Sequence, residues 1–139
     1  MVGVPRTILV VEDDPVLQRA MAKGLEAAKF TVRTAIDYET AVGILKGMRP
    51  SLVCVDLALP RESGYDLCEH IRGPLGLERV PILVTSDSGF PEDMACAEQA
   101  GANAFLKKPF PPEKLIKYVL ALLDGPNSSR PSVRRLRIM

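Results

Sequence analysis

Four short stretches of this chain carry polar groups directly behind apolar runs: Glu12, Asp13 and Asp14 after ILVV, Asp56 after LVCV, Ser86 and Asp87 after ILVT, and Lys107, Lys108 and Pro109 after AFL. If the fold gathers them, three carboxylates share one small space. Two like charges 4 Å apart repel by about 4 kcal/mol at an effective dielectric of 20, so a compensating charge is required. A donor set made only of oxygens suits a hard divalent cation such as Mg²⁺, with water and phosphate oxygens completing its shell. Lys108 adds a fixed positive charge and Ser86 a hydroxyl donor. Together these groups describe a site where a carboxylate nucleophile attacks a phosphoryl group while metal and Lys offset the charge.

The elements that must position these groups are legible in the same runs. Five short segments rich in β-branched residues read as strands: Ile8 to Val11, Val32 to Ala35, Leu52 to Val55, Ile82 to Thr85 and Ala104 to Leu106. The first, third and fourth are continuously apolar, as expected of parallel strands covered by helices on both faces. Between them lie helical patterns over Pro15 to Lys29, Tyr38 to Lys46, Gly64 to Arg72, Pro91 to Ala100 and Pro112 to Leu123. Asp14 and Asp37 stand at N-cap positions, and Val16, Leu17, Ala20, Met21, Gly24 and Leu25 form one apolar stripe on the first helix. Five βα units predict an α/β fold, a doubly wound five-stranded parallel sheet in the order 2-1-3-4-5 with right-handed crossovers. Ligands of such sheets bind beyond the carboxyl ends of the strands, and that is the rim where Glu12, Asp13, Asp56, Ser86 and Lys108 fall.

Each residue also has a plainer reading. Asp13 or Asp14 before a helix can be only a cap, Ser86 only a turn residue, and Lys107 and Lys108 before a Pro only a solvated loop. Four such readings would have to place their polar residues on one rim by coincidence.

At 139 residues with 47% hydrophobic and 25% charged, the chain has the makeup of one globular domain. It contains no run of about eighteen uncharged apolar residues and no apolar signal core, so membrane insertion and secretion are not expected and a cytoplasmic location is. Aromatics are 5% with no Trp, which leaves no stacking platform for single-stranded nucleic acid. Four of the 18 basic residues are arginines of the tail 126–139, which has no acid, so residues 1–125 carry the other 14 against all 17 acidic ones. The domain thus spans 1–125 and is mildly acidic. Its Arg-rich tail is expected to be flexible, and it is the one candidate contact for nucleic acid or an anionic surface. Cys54, Cys68 and Cys96 form no CxxC pair and read as buried small hydrophobes, and His70 as a solvated side chain.

In order and spacing, ILVVEDDP, PSLVCVDLALPRESGYDLC, VPILVTS and GANAFLKKPF resemble the receiver domain of bacterial response regulators, the flavodoxin-like modules of two-component signalling, over about Thr7 to Leu123. The resemblance implies that Glu12 and Asp13 are the acidic pair at the metal, Asp56 the phosphoacceptor and Ser86 the switch hydroxyl. It likewise makes Phe105 the switch aromatic and Lys108 the Lys before a cis Pro109. It implies Mg²⁺ as cofactor, held by Glu12, Asp13, Asp56 and the backbone carbonyl of Ala58. A sensor histidine kinase or phosphotransfer protein would be the donor, with a downstream protein bound through helix 4, strand 5 and helix 5. Phosphorylation would draw Ser86 toward the phosphate and let Phe105 rotate inward. Such a domain is not an enzyme beyond its own phosphorylation and dephosphorylation, and any output must come from a partner or a larger protein. Two positions depart from the family's pattern: Ala58 lacks a polar side chain, and Asp87 stands where Ala or Gly is usual. Asp87 is expected to gate the phosphate mouth, against a competing role as a cap for helix 4 or its preceding loop.

Other readings fit less well. A phosphatase of the haloacid dehalogenase type needs a second Asp two residues after the nucleophile, where Ala58 stands. A flavin carrier needs a Gly-, Ser- or Thr-rich loop where Glu12, Asp13 and Asp14 lie. A degenerate receiver that binds partners without phosphorylation is the remaining alternative, although every group for phosphorylation is present.

Overall fold

The computed structural model describes residues 6–124 and 137–138. Strands β1 (Thr7–Val11), β2 (Thr31–Ala35), β3 (Leu52–Asp56), β4 (Ile82–Ser86) and β5 (Ala104–Lys107) alternate with helices α1 (Pro15–Ala27), α2 (Tyr38–Gly47), α3 (Gly64–Arg72), α4 (Pro91–Gln99) and α5 (Pro112–Asp124). The sheet is parallel throughout and runs β2-β1-β3-β4-β5, the order expected from the repeated βα units. A sixth, two-residue strand, β6 (Arg137–Ile138), adds to the free edge of β5, with Arg137 opposite Ala104 and Ile138 opposite Phe105. An edge strand offers unpaired N–H and C=O groups to any extended segment that reaches it. The tail expected to be flexible therefore contributes a strand at 137–138, while 125–136 and 139 lie outside the described residues.

Successive side chains of a strand point to opposite faces, and this divides the core in two. Leu9, Val11, Val53, Val55, Ile82, Val84 and Phe105 pack under α2, α3 and α4 with Leu45, Leu67, Ile71 and Ala97. Ile8, Val10, Leu52, Cys54, Leu83 and Leu106 pack under α1 and α5 with Met21, Leu25, Leu115, Tyr118 and Val119. Both faces are covered, which is why the central strands read as unbroken apolar runs.

The helix starts follow the capping residues. Asp14 accepts the N–H groups of Val16 and Leu17, and Asp37 that of Thr40. Ser63 and Asp66 form a reciprocal capping box at α3. Helix α1 stops two residues short of the expected Lys29, because Lys29 adopts φ +79° and sends Phe30 back into the core. The Phe30 N–H reaches the Leu25 carbonyl and the Lys29 N–H that of Glu26, which closes the last turn.

Three side chains stand differently from the sequence pattern. Val16 is 74% exposed, so the buried stripe of α1 is Leu17, Met21 and Leu25. Cys96 is exposed, unlike Cys54 and Cys68. His70 is half-buried and meets the Tyr38 ring edge-on at 5.8 Å, so it is not simply solvated.

Arg72 ties three segments together from the end of α3. Its guanidinium donates to the carbonyls of Leu77 and Val80 at 2.7 Å each, to that of Gly101 at 2.8 and 3.0 Å, and to Asn103 Oδ1 at 2.8 Å. The same Asn103 oxygen accepts the Ile82 N–H at 2.8 Å, so this knot sets where β4 begins.

Tyr118, on α5, is fully buried, and its hydroxyl has no hydrogen-bond partner among the described residues. A buried unpaired hydroxyl costs about 1–3 kcal/mol in lost hydration. Tyr118→Phe is therefore expected to raise stability by about 1 kcal/mol, visible as a later urea midpoint with an unchanged slope. A loss of stability would mean that the hydroxyl has a partner.

Candidate functional site

The strand registers bring the polar ends of β1, β3, β4 and β5 to one rim. Val11 lies opposite Val55, so Glu12 comes level with Asp56, and Asp56 itself lies opposite Thr85. Ser86 lies opposite Lys107, which puts Lys108 just past the sheet. The Lys108 N–H donates to the Ser86 carbonyl at 2.8 Å, and the Lys108–Pro109 peptide is cis, as the resemblance implied.

Glu12 is fixed before its side chain does anything. Its N–H donates to the Ala35 carbonyl at 3.0 Å, and Gln18 from α1 donates to the carbonyls of Glu12 and Ala35 at 2.9 and 3.2 Å. The Glu12 carboxylate accepts the Asp14 N–H at 3.2 Å on Oε2 and faces Lys108 Nζ at 3.0 Å on Oε1. Asp56 Oδ2 lies 3.3 Å from the same ammonium, and Asp56 Oδ1 accepts the Ala58 N–H at 3.0 Å. Lys108 thus bridges two acids whose exposures are only 1% and 3%.

Burial pushes the Glu12 carboxyl up to about 7; Lys108 opposes this and the Asp56 charge reinforces it. Burial alone would lower the Lys108 ammonium, but its hydrogen bond to Glu12 and the charge of Asp56 outweigh that and raise it. One ammonium therefore does not fully balance the acids. Oxygens of Glu12, Asp13 and Asp56 lie within 4.8 Å of one another, a purely hard-oxygen set that could hold a metal ion. Glu12 and Asp56 are buried while Asp13 is exposed at the mouth, so the set is reachable from solvent.

The acids, Lys108 and Pro109 line a cleft of about 440 Å³, with Ala58 and Asp87 also on its wall. Asp87 is exposed. It makes no side-chain hydrogen bond among the described residues, and Phe90 at the N-cap of α4 has no side-chain cap bond. The loop N–H groups of Ser88 and Phe90 go to the hydroxyls of Ser86 and Ser88, so the loop-binding role considered for Asp87 is filled by serines and α4 has no side-chain cap.

Ser86 is 8% exposed and is not among the cleft-lining residues. Phe105 is 1% exposed, packed with Val84, Ala97 and Ala100. Its ring is already inside, so the inward rotation expected of it has no distance left to travel.

Two positions that sequence reasoning passed over also shape the site. Gln18 fixes the ends of β1 and β2, and nothing distinguishes it in sequence from any polar helix residue. Gly64 begins α3, where its N–H donates to the Leu57 carbonyl at 3.0 Å and a Cβ would come within 2.3 Å of the Asp56 carbonyl oxygen. Its signal was a Gly at the first position of a capped helix, where no turn demands one.

Comparison with known proteins places this geometry. Residues 8–120 match the family model of the response regulator receiver domain. The chain is 34% identical over 116 residues to the DNA-binding response regulator MtrA of Mycolicibacterium smegmatis, covering 84% of this chain and 50% of that protein. It is 31% identical over 116 residues to the DNA-binding dual master transcriptional regulator RpaA of Synechocystis, covering 84% and 48%. The chain spans about half the length of such relatives. Among solved structures it is similar to the chemotaxis response regulator CheY4 of Vibrio cholerae, at a TM-score of 0.80 and 26% identity over 84% of this chain and 97% of that one. It is similar also to the signal receiver domain of a signal transduction histidine kinase from Syntrophus aciditrophicus, at a TM-score of 0.79 and 27% identity over 93% and 98%. Among the described residues, no helix is long and apolar enough to cross a membrane.

Proposed function

The chain belongs to the response regulator receiver domain family of two-component systems, and from that premise we propose that Asp56 accepts a phosphoryl group in a Mg²⁺-dependent reaction and that the domain signals by the change this causes. The observation that carries the reading is the environment of Asp56: one oxygen held by the Ala58 N–H, the other by Lys108, with oxygens of Glu12 and Asp13 close by. An Asp56 oxygen attacks phosphorus as the P–N bond of a donor phosphohistidine breaks, and the electron pair leaves with the imidazole. Lys108 offsets charge on the transferring group, and Ser86 donates its hydroxyl to a phosphoryl oxygen once the bond has formed. Glu12, Asp13, Asp56 and the Ala58 carbonyl would hold Mg²⁺, which when bound supplies positive charge to the phosphoryl oxygens.

The donor is a sensor histidine kinase or phosphotransfer protein, and the reaction takes place in the cytoplasm. The output surface is α4, β5 and α5. The domain's only catalysis is of its own phosphorylation and dephosphorylation. Incubation with acetyl phosphate and Mg²⁺ followed by intact mass measurement tests this: one labile adduct is expected. No adduct would favour a phosphorylation-independent binding module, and free phosphate without an adduct a phosphatase.

Asp87 tunes the rate. A unit charge against a dianion at about 8 Å costs on the order of 1 kcal/mol even at the dielectric of water, a several-fold effect. Asp87→Ala is expected to speed uptake from acetyl phosphate several-fold, with a smaller gain from a protein donor whose docking offsets the repulsion. Equal or slower uptake with a lowered melting temperature would return Asp87 to a structural role.

A further inference from the structure

The Ser86 hydroxyl is held by its own loop, and that loop is fastened to two helices. Ser86 Oγ accepts the Ser88 N–H at 3.0 Å, and Ser88 Oγ accepts the Phe90 N–H at 3.2 Å and hydrogen-bonds to Asp93 Oδ2. On its other side Asp93 meets the Tyr65 hydroxyl of α3, which lies 3.3 Å from both Asp93 Oδ1 and the Asp93 carbonyl oxygen. Tyr65, Ser88 and Asp93 are all half-buried, so the bonds among these three are partly shielded from competing water. Tyr65 follows Gly64, which packs on the backbone of Asp56. The path from Asp56 through α3 and α4 back to Ser86 is therefore a closed ring.

We propose that Asp93 is a positioning residue for phosphoryl transfer: through Ser88 it holds the Ser86 hydroxyl off the cleft, and Tyr65 braces it there. The inference rests on the reading of Asp56 as phosphoacceptor. Ser86 Oγ accepts the Ser88 N–H and keeps its own O–H free, so it can donate to a phosphoryl oxygen only by leaving Ser88 or by carrying the loop toward the cleft, and the loop is anchored at Asp93. The chain thus favours the resting arrangement, and whatever weakens it shifts the population toward the one that accepts phosphate. Burial, and then the Asp93 charge, push the Tyr65 hydroxyl up to about 12, so it stays a donor to Asp93 at any physiological pH. Asp93 also lies in the first turn of α4, where its charge favours the helix, so the links on either side of it are the ones to cut.

The experiment follows adduct formation on the full chain by intact mass, with limiting acetyl phosphate and Mg²⁺, for wild type, Ser88→Ala, Tyr65→Phe and the double variant. Each single change is expected to raise the rate about fivefold, the weight of one ordinary hydrogen bond. The double variant should gain no more than the larger single, because one chain is broken only once. Unchanged or slower rates with an adduct still on Asp56, or fully additive gains, overturn the positioning role and leave the phosphoacceptor reading standing. Absence of any adduct on wild type takes down both. Amide exchange on wild type is independent of the variants' folding: with donor and Mg²⁺ the Ser88 and Phe90 amides should exchange at least about tenfold faster than without. Unchanged protection in phosphorylated protein would refute the proposal.

Discussion

Asp56→Asn is expected to abolish phosphoryl uptake while leaving the fold intact. An amide offers no anionic oxygen to form an acyl phosphate, and the carboxylate it replaces is the one held between Lys108 and the Ala58 N–H. Stability should hold or rise slightly, because the change removes one of several clustered negative charges while Lys108 keeps Glu12 at 3.0 Å. A pH signature accompanies it. With the Glu12 carboxyl raised from 4.5 to about 7, the folded chain holds a proton across that window that the unfolded chain has released. Wild-type stability without divalent cations therefore falls as pH rises from about 4.5 to about 7. Asp56 is one cause of that shift, so the variant's decline should be shallower and end at lower pH. Mass spectrometry after acetyl phosphate treatment and melting curves across the window check both parts. A base-labile adduct on the variant would move the nucleophile elsewhere, and an unchanged slope would remove Asp56 from the charge balance at Glu12.

Gly64→Ala is expected to damage stability and phosphorylation together. The added Cβ would lie 2.3 Å from the Asp56 carbonyl oxygen, 2.7 Å from Leu57 Cα and 2.9 Å from the Asp56 carbonyl carbon. All three are backbone atoms, so no side chain can swing aside. Either α3 withdraws, straining its capping box and the Gly64 to Leu57 hydrogen bond, or the end of β3 moves and carries Asp56 with it. Overpacking of this kind costs about 1–3 kcal/mol. A displacement near 1 Å at a nucleophile can slow transfer by about a hundredfold, so a loss of at least about tenfold in rate is expected. Gly43→Ala is the matched control: nothing lies within 4 Å of a Cβ there, and Ala in the middle of α2 should stabilise by about 1 kcal/mol. If Gly64→Ala behaves like Gly43→Ala, the close packing of α3 on Asp56 is wrong.

Most of what places the site was legible in the sequence, because it depends on local rules. Continuous apolar runs such as LVCV mark strands buried on both faces, and Asp14 and Asp37 mark helix starts through bonds that span only two or three residues. Once the βα repeat gives a doubly wound sheet, residues that follow its strands must share one rim. Glu12, Asp13, Asp56 and Lys108 could be named from sequence for that reason.

What the tertiary structure alone decided are distances between elements far apart in the chain. Periodicity says which side of a helix is apolar, but not how closely its first turn approaches a neighbouring strand, so a Gly at the start of α3 was a signal without a readable cause. The stripe on α1 could not show that Val16 is exposed, nor the pattern of α4 that Cys96 faces out. The Ser86 hydroxyl had a predicted role, yet its present partner is its own loop, fixed by an Asp and a Tyr on two other helices. The inward place of Phe105 and the pairing of 137–138 with β5 belong to the same class. Local propensity chose the elements and their order; packing between them chose which rotamers and edges are filled, since those depend on partners that sequence neighbours do not supply.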